Sequence, residues 1–226
     1  YKNVYAFITP SEFLKKKLSL NGFEEKRIHC IPTFTASKTT IGEQQIGSYG
    51  LYFGRVTEEK GVETVIKAYE KLPEYTVKIM GDDTTDEAKR LKKYVENHKM
   101  KNVEFLGFKS GAELENVIKG ARFTLIPSIW YDNLPNTALE SFQYSKPVIA
   151  SNIGSLPELV IDGENGYLFK PSNVEDLIRK IKMLDDDTLV KKMGQASRKR
   201  LESRFAPQTH YEDLMKIFNE AVKSRK

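Results

Sequence analysis

Two stretches of this sequence hold residues whose types and spacing suit chemistry. The first runs Phe53-Gly54-Arg55-Val56-Thr57-Glu58-Glu59-Lys60-Gly61 and places Arg55 and Lys60 just ahead of a helical pattern. The free N–H groups and dipole of a helix start already attract an anion, and first turns ordinarily carry Asp or Glu. Two cations there suit a phosphate, although pairing with Glu58 and Glu59 accounts for them as well. The second stretch runs from Pro127 to Glu140, with Asp132 in a polar loop and Glu140 inside the next helix. The segment between them covers loop and about one helical turn, so both carboxylates can point into one crevice and accept hydrogen bonds from hydroxyl groups. The backbone N–H groups of Asn136 and Thr137 face the same space. Taken singly, each carboxylate also suits a solvated or capping role.

Two familiar phosphate motifs are excluded at the first stretch. Glu59 stands where the second Gly of G-x-x-x-x-G-K-[ST] belongs, and Val56 replaces the second Gly of G-x-G-x-x-G. P-loop chemistry and ordinary dehydrogenase chemistry lose their main support.

The elements that must position these residues follow from periodicity. Short apolar strands are predicted at 51–53, 76–80, 103–106, 123–126, 147–150 and 167–169. Helical patterns lie between or after them near 62–71, 86–98, 111–119, 136–145 and 173–184. Ile178, Ile181 and Leu184 recur on one helix face. Strands separated by such helices imply right-handed crossovers and a mostly parallel sheet covered on both faces, a doubly wound α/β domain. Ligands of such sheets bind beyond the carboxyl ends of the strands, where both chemical stretches begin. Residues 1–34 read as strand (Val4 to Ile8), helix and strand (Ile28 to Ile31), with Ser11 placed to cap the helix. Residues 35–48 read as a linker, and 188–226 as two helical stretches broken at Phe205-Ala206-Pro207, a helical C-terminal extension.

Composition narrows the class. The 226 residues are 39% apolar and 30% charged, which is globular rather than disordered or fibrous. No apolar run approaches the roughly 18 residues that span a bilayer. There is no basic-then-apolar leader, and a start at Tyr1 rather than Met leads us to expect upstream residues. Cys30, the one cysteine, forms no disulfide within the chain, and no Cys/His cluster has zinc spacing; a reducing compartment and no structural metal are expected. The formal charge of +5 fits an anionic partner without selecting one. Lys15-Lys16-Lys17 and Arg198-Lys199-Arg200 are the basic clusters, and both read as solvated helix faces, so nucleic-acid binding is not supported.

The motifs in order are F-G-R-x-x-x-E-K-G, then P-S, then Asp132 with Glu140, then K-P-V-I-A-S, G-x-x-P-E and D-G-x-N-G-x-L-F. Together they resemble the nucleotide-sugar-dependent, retaining glycosyltransferases of family four, over about residues 48–205. The resemblance implies a GT-B fold of two Rossmann-like domains, of which 48–205 would be the donor-binding one. Residues 1–47 would then be the end of an absent N-terminal acceptor domain plus the interdomain linker, and 206–226 the helix that crosses back to it.

Carried over residue by residue, the resemblance implies that Arg55 and Lys60 bind the donor diphosphate and stabilise the charge that builds on it as the sugar leaves. Glu140 would accept from the ribose hydroxyls, and Asp132 would hold hydroxyls of the transferred sugar. Backbone N–H groups of Asn133, Leu134, Asn136 and Thr137 would contact sugar or phosphate. Gly107 and Phe108 lie where the family recognises the base, while Gly54 and Gly81 would let the backbone approach closely. Glu158 is a weaker candidate, suited also to capping or bracing its loop. The donor implied is a UDP- or GDP-sugar with no metal or other cofactor required. The acceptor would be a saccharide or lipid-linked group on the absent domain, in a cytoplasmic protein compatible with peripheral membrane contact. A fragment of this kind would bind nucleotide and transfer no sugar.

Four departures from the family pattern stand out. Asp132 replaces the more frequent Glu, and Pro135 the frequent Gly. Gly81-Asp82-Asp83 replaces a G-x-G loop and reads as a helix-capping region, while Thr33-Phe34 replaces the usual Asn-Gly. Three other classes stay open: a noncatalytic nucleotide-sugar-binding or regulatory domain, a sugar-nucleotide epimerase, and a nucleic-acid or membrane module. The first would not need Glu140 or Lys60, the second would act without acceptor, and the third would bind with steep salt dependence.

Overall fold

The computed structural model describes residues 3–35 and 45–224. Six parallel strands, β3 (Tyr49–Phe53), β4 (Thr76–Met80), β5 (Val103–Gly107), β6 (Ala121–Ile126), β7 (Val148–Ser151) and β8 (Gly166–Phe169), form one sheet in the order β5-β4-β3-β6-β7-β8. The crossovers are α2 (Val62–Glu70), α3 (Asp86–Asn97), α4 (Gly111–Lys119), α5 (Asn136–Gln143) and the single turn α6 (Leu156–Leu159). The order reverses between β3 and β6, so the loops after these two strands flank the topological switch point where such sheets bind ligands. Both chemical stretches of the sequence are those two loops.

Alternation along the strands explains the two-sided burial. Ile149 joins a cluster with Val65, Ile66 and Tyr69 of α2, Leu91 of α3, and Leu177 and Ile181 of α7 (Val174–Lys182). Its neighbours Val148 and Ala150 point the other way, into a cluster with Leu139 and Phe142 of α5 and Leu201 of α8 (Asp187–Arg204). Successive strand side chains face opposite sides, so β7 is buried at every position and apolar from Val148 to Ala150. The doubly wound, Rossmann-like fold and the C-terminal helical extension are therefore present, the latter as α8 and α9 (Pro207–Lys223), which part at Phe205-Ala206.

The amino-terminal segment is a separate two-stranded parallel sheet, β1 (Phe7–Thr9) with β2 (Ile28–Cys30), joined by α1 (Glu12–Leu20). Strand β1 starts later than Val4, because only three residues of β2 are there to pair with it and Val4 and Tyr5 stay exposed. Ser11 caps α1 as expected, accepting from Leu14 N–H at 3.2 Å. Of the predicted linker, residues 36–44 lie outside the described residues.

Lys146 is a buried cation in the core. Its Nζ donates to the carbonyls of Gln45 at 2.6 Å, Lys119 at 2.6 Å and Ala121 at 2.7 Å, tying the segment before β3 to the sheet. Burial still pulls its pKa down to about 8 from 10.5. Between these two values the unfolded chain holds a proton that the folded chain has released, so stability rises with pH there. Chemical denaturation from pH 8 to 10 should show a gain of about 1–2 kcal/mol that Lys146→Met removes. A flat profile in the parent chain would contradict it.

Candidate functional site

The loop after β3 is shaped by glycines. Gly54 has φ +142, and a Cβ on Gly81 would lie 2.0 Å from the Gly54 carbonyl oxygen. The close approach expected at Gly81 is thus one between the chain's own loops. Gly61, at φ +68, ends the turn of 3-10 helix Glu58–Lys60 and passes the Pro127 carbonyl, which a Cβ would meet at 2.1 Å. The Ile129 N–H donates to the Glu59 carbonyl at 3.0 Å, so the two switch-point loops are held against each other.

That contact brings Lys60 to Asp132. The Lys60 ammonium donates to one Asp132 oxygen and the Ser128 hydroxyl to the other, with the lysine and aspartate side chains 20% and 15% exposed. Arg55 lies apart, 73% exposed, its guanidinium 3.9 Å from Glu59. Of the alternative reading, in which both cations pair with Glu58 and Glu59, the structure shows Arg55 with Glu59, while Lys60 pairs with Asp132. The Tyr52 hydroxyl donates to the Arg55 carbonyl from inside the sheet, bracing the loop's start.

Two adjoining cavities open at this place. One, of about 260 Å³, is the more polar of the two and is lined by Arg55, Lys60, Ser128, Asp132, Asn136 and Glu140 among others. The second, of about 560 Å³, has apolar walls from Phe53, Met80, Leu114 and Phe108, with Asp82 and Lys109 also reaching it. Phe53, Gly54, Arg55, Thr137 and Glu140 line both and so stand at the junction. Helix α5 begins there behind Pro135, which offers no capping side chain. Its first-turn N–H groups are thus placed to receive an anion. Glu140, half-buried, has its carboxyl pKa raised by that burial.

Of the residues singled out by sequence, Arg55, Lys60, Asp132, Glu140, Gly54, Asn133, Asn136 and Thr137 come together around the polar cavity, and Gly54, Gly81 and Phe108 around the apolar one. Two placements differ from expectation. The Leu134 N–H is taken by Ser155 Oγ at 2.7 Å and so serves the loop's own fold, while the Asn133 side chain, beside the backbone N–H singled out by sequence, accepts from Ser11 Oγ at 2.8 Å. Gly107 sits one residue behind the wall, its carbonyl accepting from Gly81 N–H at 3.0 Å. Asp82 holds a turn through Thr84, whereas Thr85 caps α3 and Asp83 pairs with Lys92. Glu158, the weaker candidate, faces α1. The cluster 198–200 is not a free helix face either, since Arg198 donates to the Gln143 carbonyl at 2.8 Å and Arg200 to that of Glu158. Sequence reasoning gave no role to Ser128 or Ser155; a hydroxyl after β6 and another after β7 were the available signals.

Among the described residues no helix is long and apolar enough to cross a membrane. Residues 40–200 match the family model of group 1 glycosyl transferases. An uncharacterized glycosyltransferase of Methanocaldococcus jannaschii is 30% identical over 174 residues, 76% of this chain and 48% of that protein. A glycogen synthase of Mycobacterium tuberculosis is 31% identical over 186 residues, 78% of this chain and 42% of that protein. The chain thus spans about half the length of these curated relatives. Among solved structures, a Rickettsia africae glycosyltransferase superposes with a TM-score of 0.87 at 21% identity, over 96% of this chain and 64% of that one. Anabaena HepE, solved in complex with UDP and glucose, gives 0.84 at 19% identity, over 96% of this chain and 63% of that one. A family match over most of the chain, on a sheet with this switch point, shows that the chain belongs to the group 1 glycosyl transferases.

Proposed function

We propose that this chain is the donor-binding half of a retaining glycosyltransferase that takes a nucleoside diphosphate sugar, with a UDP-sugar as first choice. The observation that carries the reading is the joined pair of cavities at the switch point. An apolar slot large enough for a base opens into a polar chamber, with Arg55, Glu140 and the α5 N-terminus at the junction. The base would lie between Phe53, Met80, Leu114 and Phe108, the ribose hydroxyls would donate to Glu140, and the diphosphate would meet Arg55, Lys60 and the α5 N–H groups. Asp132 would then accept from the transferred sugar. The two cations and the helix start would neutralise the departing diphosphate without a metal, which is electrostatic assistance to the leaving group. UDP in the HepE complexes supports the choice of base, and the motif set supports retention of configuration. Residues 1–47 and α9 would belong with an acceptor domain that binds a saccharide or lipid-linked acceptor, so the chain alone should bind nucleotide and transfer no sugar.

The test is a thermal-shift panel of UDP, GDP, ADP and CMP with their common sugar conjugates, on the parent chain, Lys60→Ala and Glu140→Ala. Ligand at 100 times its Kd should stabilise the fold by about 2.7 kcal/mol. For a chain of this size that is a rise of about 5–10 °C. A rise with one base, lost in both variants, supports the site. A rise that both variants keep places the nucleotide elsewhere, and no rise with any nucleotide counts against binding by this chain.

A further inference from the structure

We infer that Glu158 is a positioning residue: it docks the start of α1 on the rim of the cleft and so holds the loop that carries Asp132. The inference rests on the proposed donor site only for what Asp132 binds.

The Glu158 carboxylate accepts from the N–H of Glu12 at 2.8 Å and of Phe13 at 2.7 Å, the first two residues of α1. Those donors have no partner inside their own helix, and a carboxylate there also meets the positive end of the helix dipole. Ser11, fully buried, caps Leu14 and at the same time donates to Asn133 Oδ1 at 2.8 Å. The Phe13 ring packs 5.0 Å from that of Tyr131, and Lys17 lies 5.0 Å from the Tyr131 ring centre. The start of α1 therefore grips residues on both sides of Asp132.

The grip closes on the other side through the turn that holds Glu158. Its N–H donates to the Ser155 carbonyl at 3.0 Å. Ser155 Oγ donates to the Asp132 carbonyl at 2.7 Å and accepts from Leu134 N–H at 2.7 Å. Gly154 lets this turn lie flat against the loop, since a Cβ there would meet the Asp132 carbonyl oxygen at 3.1 Å. Behind it, Arg200 of α8 donates to the Glu158 carbonyl. One short turn thus joins α1, α8 and the Asp132 loop, and the Glu158 side chain is its link to α1. With its carboxylate spent on α1, Glu158 acts on the sugar site through the loop rather than by touching ligand.

Amide hydrogen exchange on this chain tests the link. Glu158→Gln should speed exchange at Glu12 and Phe13, and also at Asp132 and Leu134, by about tenfold, with the amides of β3 to β7 unchanged. Glu158→Asp keeps the carboxylate and should recover most of the protection. Faster exchange confined to Glu12 and Phe13, or spread evenly over the sheet, would overturn the inference. Should Glu158→Gln fail to fold, Ser11→Ala cuts the bond to Asn133, and the same rise at 132 and 134 is expected. UDP affinity of Glu158→Gln should stay within about twofold of the parent, a negligible free-energy change. A much larger loss would mean that Glu158 acts on the nucleotide directly, which also overturns it. If the parent chain binds no UDP, the donor reading fails while the exchange data still decide the positioning role.

Discussion

Changing Lys60 to Met is expected to weaken UDP binding on the order of 10²-fold, the loss that follows removal of one partner from a desolvated charge pair. The same change should destabilise the fold by about 1–3 kcal/mol, because Asp132 keeps only the Ser128 hydroxyl in a pocket where it is 15% exposed. The two effects separate in the double variant Lys60→Met with Asp132→Asn. Removing the stranded charge should restore stability but not affinity. Asp132→Asn alone makes the sharper claim. The Asp132 carboxylate neutralises Lys60, so its loss should free a cation for the diphosphate and tighten UDP several-fold, while the added affinity of a sugar conjugate over UDP falls. Isothermal titration of UDP and UDP-glucose against the four proteins measures all of this. Unchanged UDP affinity in Lys60→Met would remove Lys60 from the proposed diphosphate site.

How much of this was legible beforehand depended on whether the signal was local. The sheet was, because β4 and β6 are short stretches rich in apolar residues and α7 keeps one apolar face, patterns written in adjacent residues. The placing of Arg55 and Asp132 at strand ends followed from the same reading. The pairing of Lys60 with Asp132 did not, since it requires β3 and β6 to be neighbours, and strand order across a switch point is absent from local periodicity. Nor did the role of Glu158, whose partners lie 145 and 146 residues away. Arg198 and Arg200 looked solvated for a related reason: their stems leave a helix surface, yet their guanidinium groups reach carbonyls of other elements. Gly81 shows the reverse case. A need for close approach was readable from the glycine, but the neighbour it admits is the Gly54 carbonyl. A residue type states a steric or electrostatic requirement; the fold supplies the group that imposes it.

Glu140 joins the cleft's stability to its chemistry. Burial raises its carboxyl pKa, and it has no ion-pair partner among the described residues. A carboxyl whose folded pKa lies above its unfolded one favours folding below the unfolded value, and that advantage is lost as pH rises through the folded pKa. Above that raised pKa the ionised Glu140 therefore opposes folding, and Glu140→Gln should there be at least as stable as the parent. Ribose hydroxyls donate best to the ionised form, so UDP binding should favour that form. Affinity should consequently fall as pH drops through the raised pKa, approaching tenfold for each pH unit below it, and in Glu140→Gln only the fall that follows protonation of UDP's own terminal phosphate should remain. At pH 7.5 the substitution should cost UDP about 10–100-fold, the range for hydrogen bonds to a charged acceptor. A deoxy ligand separates this role from a loss of pocket shape. In the parent chain UDP lacking the hydroxyl that Glu140 holds should bind as weakly as UDP binds to Glu140→Gln, and the two losses should not add. Full additivity with both 2′-deoxy-UDP and 3′-deoxy-UDP would mean that the hydroxyls and Glu140 act independently, and the ribose would have to lie elsewhere in the cleft.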